Sequence, residues 1–287
     1  MHRTTTSLLL TAAPAVVAGL LVLAICNVGR GVWLVQGVAI VMMIGLAFGL
    51  ARMPRALASS RFVIMAGLGL ALCAWPLVGV VDGPARWLRL GGLSLYVAPV
   101  VAPAMLAAAA RAHRRGRRAE TVAISMLAGL ALVLAAQPDL AQVLAVAVPA
   151  AVIAGRARQG WLPRLFVFAA LAAAAGLAAW RDVPLAPVDH VERVFRVAWA
   201  WRIPAGLGVA AAALLFTFGL AARLARIDRS LAVVASYYVA LFVLSLADLT
   251  PAPLIGFGAG HLLGFGVLLG SVGTCAGASD RAPRNII

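Results

Sequence analysis

The chain has 287 residues, of which 64% are hydrophobic and only 11% charged, and its mean hydropathy is +1.02. Soluble domains carry roughly 25% charged residues, and a chain with less than half of that would leave too much apolar surface facing water, so a soluble fold is excluded. The net charge of +15 comes from 24 arginines, with no lysine, against 9 acids; in so apolar a chain this reads as a topology signal carried on loops and not as a nucleic-acid surface.

At the N-terminus, His2 and Arg3 precede an apolar run from Leu8 to Val28. The run is too long for the apolar part of a secretory signal, and Ile25 before Cys26 does not suit lipoprotein cleavage, so a retained first span is expected. Breaking the rest of the chain at arginine clusters and Pro/Gly/Asp turns gives about ten spans, at 7–27, 31–51, 62–81, 95–110, 121–136, 140–155, 163–180, 204–222, 231–248 and 252–272. Gln137-Pro138-Asp139 separates the fifth from the sixth, because a proline beside a carboxylate is costly at the bilayer midplane and reaches water at a hairpin apex. The expectation is an all-α polytopic membrane protein, a single transmembrane domain over 1–287. With a cytoplasmic start, 17 arginines fall inside and 7 outside, and six acids (Asp82, Asp139, Asp182, Asp189, Glu192 and Asp248) fall outside. That asymmetry predicts cytoplasmic termini.

The longest external loop, 181–204, carries Asp189 and Glu192 at capping-box spacing. An interfacial helix is expected over 191–201, with Trp180, Trp199 and Trp201 at headgroup level. Cys26, Cys73 and Cys275 form no Cys-x-x-Cys pair, so neither a disulfide framework nor a zinc site is indicated, and no metal site is identified.

Several features carry two readings. The run Arg111 to Arg118 is a topology anchor or a docking site for anionic membrane lipids or an acidic partner. Gly256, Gly260 and Gly264 recur at spacing four, which suits close helix packing or, with Pro251 and Pro253 just before, a broken helix beside a ligand path. His261, inside this span, bonds a neighbouring helix or carries protons. Arg86, Trp87 and Arg89 lie on the outer side, against the positive-inside trend; they bind phosphate or pyrophosphate, or they snorkel. Asp139 caps the sixth span, or acts as a base or a cation ligand.

Four segments in order resemble motifs of one family: Gly83-Pro-Ala-Arg86-Trp87-Leu-Arg-Leu90-Gly91 is similar to Gly-x-x-Arg-Trp-Ile-x-Leu-Gly, and Gln137-Pro138-Asp139-Leu140 to Gln-Pro-Asp-Leu-Gly-Thr. Val191-Glu-Arg193-Val-Phe-Arg196-Val-Ala-Trp199 is similar to Gln-Arg-Val-x-x-Phe-x-x-Pro-Trp, and Pro253-Leu-Ile-Gly-Phe257-Gly258-Ala-Gly-His261 to Pro-Phe-x-Ser-Tyr-Gly-Gly-Ser-Ser. With these the chain resembles the FtsW/RodA/SpoVE (SEDS) family of ten-span proteins of the bacterial cytoplasmic membrane. The resemblance implies a role in peptidoglycan synthesis for cell shape, elongation or division. The activity it implies is polymerisation of lipid II, or of another undecaprenyl-linked glycan, with loss of undecaprenyl pyrophosphate beside a single-span penicillin-binding transpeptidase. It implies a carboxylate to deprotonate the acceptor hydroxyl, and arginines or a divalent cation (Mg²⁺ or Mn²⁺) on the leaving pyrophosphate.

Carried onto this sequence, Arg86, Trp87, Arg89, Arg193 and Arg196 are the substrate-binding candidates, and Gln137, Pro138, Pro253, Gly258 and His261 are further motif positions. The family's large external region between spans seven and eight, with its key aspartate, has no counterpart here. The base is therefore sought among Asp139, Asp189 and Glu192. That shortfall leaves polymerisation and binding without catalysis both open, with a flippase or exporter of lipid-linked substrates and a non-catalytic transpeptidase scaffold as the alternatives.

Overall fold

A computed structural model of the chain describes residues 2–53, 61–78, 85–90, 93–112, 116–158, 160–181 and 186–279. Asp82, Gly83, Pro84, Gly91, Arg114, Arg115 and Asp182 of the segments above, and Arg55, Arg281 and Arg284 of the counted inside arginines, lie outside them.

The described residues form apolar helices in the expected order: α1 (His2–Ile25), α2 (Arg30–Arg52), α3 (Arg61–Val78), α4 (Ala98–Ala112), α5 (Arg117–Ala136), α6 (Leu140–Gly155) and α7 (Trp161–Trp180). A short α8 (Val194–Trp201), then α9 (Ile203–Ile227), α10 (Val234–Leu246) and α11 (Ala259–Ser279) complete the set. Among the described residues, six helical segments are long and apolar enough to cross a membrane: α1, α2, α5, α7, α9, and α10 taken with the 3-10 turn Arg229–Val233 before it. The chain is a polytopic membrane protein.

Where element bounds depart from the sequence reading, the cause is local chemistry. Residues 95–97, expected at the start of the fourth span, end a hairpin of β1 (Trp87–Leu90) and β2 (Leu93–Tyr96), paired antiparallel with Trp87 opposite Tyr96. Leu93-Ser94-Leu95 alternates at the two-residue period of a strand, over too few residues to stand out in an apolar stretch. The last span begins at Ala259 and not at 252, because Pro251 and Pro253 break the helical ladder and Gly258 adopts φ 141°, a region closed to side chains. The predicted capping box does not form: residues 189–192 are turns, α8 starts at Val194, and the Glu192 carboxylate accepts the N–H of Val188 at 2.9 Å.

Packing explains the α11 glycines. This helix lies between α2 and α4, and a Cβ at Gly264 would collide with the Pro99 carbonyl, while one at Gly260 would sit 2.6 Å from the Tyr96 carbonyl oxygen. Small residues let backbones meet where lipid supplies no hydrophobic drive between helices. Behind this contact, Phe216 of α9 meets Tyr238 and Phe242 of α10 and Phe265 of α11 edge-on, at centroid separations of 5.2, 6.2 and 5.4 Å. Elsewhere α1 packs on α9, α5 on α6 and α7, and α6 on α10. Leu34 and Val41 on α2, Phe166 on α7 and Leu215 and Phe218 on α9 are exposed, as lipid-facing residues are. The ends of α3, α5, α10 and α11 then gather the site described next.

Candidate functional site

A cavity of about 330 Å³ is enclosed by three segments: the β1–β2 hairpin, the loop before α8, and the connection from α10 into α11. Each wall is held by a specific polar contact.

The hairpin wall presents Arg86, Trp87 and Tyr96. Arg86 donates from Nη2 to the Pro138 carbonyl, and the Tyr96 hydroxyl donates to Asp139 Oδ2 at 2.6 Å. Asp139 is almost fully buried; its Oδ1 accepts the Gln142 N–H at 3.2 Å, the N-cap contact of α6. Gln137 donates to the Cys73 carbonyl of α3. The Gln137-Pro138-Asp139 apex thus fastens the hairpin and α3 to α6, and it stands behind the cavity wall and not on its surface.

The loop wall carries Glu192. Burial pushes the Glu192 carboxyl above its ordinary pKa, and the nearby negative charge of Asp248 pushes the same way, against the Val188 N–H and the Arg193 guanidinium. The loop is stapled to the residues before α11: the Phe257 N–H donates to the His190 carbonyl at 2.8 Å, and the two rings meet edge-on at 5.7 Å. Burial lowers the His190 pKa, opposed by the charge of Asp189. The Asp189 side chain is 64% exposed, lies 3.8 Å from Arg193 and is not part of the cavity lining.

The third wall holds Asp248, a residue the sequence reading placed outside without a role. It follows the end of α10 with φ 59°, the left-handed position at which helices commonly end and which Asp tolerates better than most residues. Its Oδ2 lies 2.9 Å from Arg196 Nη2 and 3.5 Å from Arg193 Nε. Arg193 caps α8 and Arg196 sits in its first turn, so three-residue spacing brings both guanidiniums to one carboxylate. Nearby, Gly258 and His261 line the cavity. His261 is 5% exposed, its ring edge-on to Tyr96 at 6.3 Å and 77°.

Of the residues singled out by sequence, Arg86, Trp87, Glu192, Gly258 and His261 line one cavity. Arg193 and Arg196 reach it through Asp248; Arg89 is exposed on β1, and Pro253 is buried in the turn before α11. Asp248 and Tyr96 were missed. The available signal for Asp248 was an acid directly after an apolar span at its external end.

The cavity residues do not fit a protein-held Mg²⁺ or Mn²⁺. Among the described residues no three His, Cys, Asp or Glu side chains are grouped to hold a metal, and of the two lining carboxylates Asp248 already faces two guanidiniums. What the arrangement offers is a carboxylate biased toward its protonated form, a guanidinium, and aromatic faces around a space of substrate size.

No family model matches the chain, and no curated protein matches its sequence. Solved structures do match its fold. The rod shape determining protein RodA of Thermus thermophilus superposes with a TM-score of 0.67 at 23% identity, covering 96% of each chain. A point mutant of it gives a TM-score of 0.69 at 22% identity, over 96% of this chain and 97% of that one. A chain from a structure of a peptidoglycan synthase complex, described as coordinating polymerisation and crosslinking, gives 0.66 at 22% identity, over 96% and 98%.

Proposed function

We propose that this chain, which has the RodA fold, is a short, divergent SEDS protein of the bacterial cytoplasmic membrane that binds lipid II and polymerises it. The observation that carries the reading is the cavity itself. Residues from three of the four motif segments, Arg86 and Trp87, Glu192, and Gly258 and His261, come from distant parts of the chain to line one space.

In this reading Glu192 is the general base. A carboxylate whose pKa is raised toward the operating pH combines basicity with availability. Glu192 takes the proton from the acceptor sugar hydroxyl as that oxygen attacks the anomeric carbon of the donor; the bond from that carbon to the undecaprenyl pyrophosphate oxygen breaks, and the leaving group departs with the electron pair. Arg86 offsets the charge that develops on the pyrophosphate. Asp139 acts as a positioning residue, holding Tyr96 and the start of α6. Likeness to a chain from a peptidoglycan synthase complex supports a penicillin-binding transpeptidase as partner.

The test is incubation of the purified chain with labelled lipid II. Glycan polymer is expected; neither polymer nor retained lipid would contradict the reading, and the appearance of flipped but unpolymerised lipid in liposomes would favour transport instead.

A further inference from the structure

Among the described residues several buried side-chain atoms lack a hydrogen-bond partner, and one of them belongs to a ring of the cavity lining. His261 Nε2 is buried and has no hydrogen-bond partner, although the residue is only 5% exposed. A buried polar atom without a partner is uncommon in native folds and calls for a reason. Nor can this ring turn away easily, since it sits in the first turn of α11. There Gly260 and Gly264 press the helix onto the backbone from Tyr96 to Pro99, and the ring lies against Tyr96. The hydroxyl of that tyrosine donates to Asp139. The imidazole thus sits at the cavity wall with one nitrogen unpaired and covered, so that a ligand group reaches it with a small turn of the ring.

We propose that His261 is a specificity-determining residue of this cavity, its ring nitrogen hydrogen-bonding a hydroxyl or amide group on the sugar portion of a lipid-linked glycan. The inference rests on the function proposed above and adds which part of the ligand is read, and by what. Sugar is favoured over phosphate by the rest of the lining. Trp87, Tyr96 and Phe257 put on the cavity the aromatic faces on which sugar rings stack, while Arg86 is the lining residue already assigned to the pyrophosphate. In the motif that this segment resembles, a serine stands at the position of His261. A longer, planar group there reaches further into the cavity and narrows what fits.

The experiment compares equilibrium binding of two probes, lipid II and undecaprenyl pyrophosphate, to the purified full-length chain and to His261→Leu and His261→Gln, with melting temperatures measured on each. Expected is a loss of about tenfold in lipid II affinity for His261→Leu, the worth of one hydrogen bond. Affinity for undecaprenyl pyrophosphate should be unchanged, and most of the lipid II affinity should return in His261→Gln, which restores a neutral hydrogen-bonding group. Equal losses for both probes would overturn the sugar assignment, as would no loss for either. If the wild-type chain binds neither probe, the proposed function itself fails and the inference with it. The unchanged pyrophosphate affinity separates recognition from misfolding, and if His261→Leu does not fold, His261→Phe, which keeps a ring without nitrogens, carries the test: a loss of about tenfold for lipid II alone supports the assignment, and no loss or an equal loss for both probes overturns it.

Discussion

Glu192 and Asp248 face one cavity in different company, and the difference assigns their roles. Asp248 meets two guanidiniums, while Glu192 is half-buried beside that charge and holds its proton more tightly than an ordinary carboxyl. Because the ionised form is the base, polymerisation by the wild-type chain should fall as pH drops through the raised Glu192 pKa, at a higher pH than for a solvated glutamate. The sign for stability is opposite. A carboxyl whose folded pKa is raised contributes stability that is complete below its unfolded value, about 4.3, and that is lost as pH rises through the folded value. Rate and melting temperature recorded across the acid range should therefore move in opposite directions, and in Glu192→Gln this component of both should vanish. Asp248→Asn isolates the charge, since Asn accepts the left-handed backbone as readily as Asp. It should leave the fold intact, release Arg193 and Arg196, and cost roughly 1–3 kcal/mol of stability for the lost charge-assisted contacts, measured by thermal denaturation in detergent.

Helix packing is the next scale, and α11 is where it bears on the site. A Gly264→Ala substitution places a methyl group into the Pro99 carbonyl, so the backbone must shift, at a cost of about 1–3 kcal/mol. The same change at Gly208 of α9, where a Cβ meets nothing within 4 Å, should be neutral or stabilising by up to about 1 kcal/mol. Melting temperatures of the two variants test the close approach, and a milder effect at Gly264 than at Gly208 would contradict it. Elements of this kind were readable in the sequence because their signals are local. Apolar runs bounded by arginines located the helices, Gln137-Pro138-Asp139 marked the break between α5 and α6, and glycines at spacing four marked a contact face. The β1–β2 hairpin escaped notice because strands of four residues within an apolar stretch carry little periodicity. The late start of α11 was written in Pro251, Pro253 and Gly258, yet hydropathy alone carries the span past them.

For the whole molecule, the arginine distribution predicts that both termini are cytoplasmic and that the loop before α8 is external. In a variant with Cys26, Cys73 and Cys275 replaced by alanine, Asp189→Cys should react with a membrane-impermeant thiol reagent on intact cells; reaction only after permeabilisation would invert the topology. The site was partly legible at this scale. Four motif segments in order pointed to the residues that fold together around the cavity, but sequence spacing could not tell a lining residue from one behind the wall. Asp139 could be read as a helix cap or as a base, and it caps α6 and accepts from Tyr96. Asp248 looked like loop charge and lines the cavity. Both outcomes depend on which way a side chain points at the end of a helix, and that is set by the tertiary contact. The central claim is that the cavity performs glycosyl transfer with Glu192 as its base. The most direct measurement is the initial rate of polymer formation from labelled lipid II by the wild-type chain and by Glu192→Gln, at lipid concentrations where both are shown to bind. A fall of about 10²- to 10⁴-fold, the usual contribution of general base catalysis, with lipid binding retained, is the predicted result. Polymer formed at an undiminished rate by Glu192→Gln would contradict it.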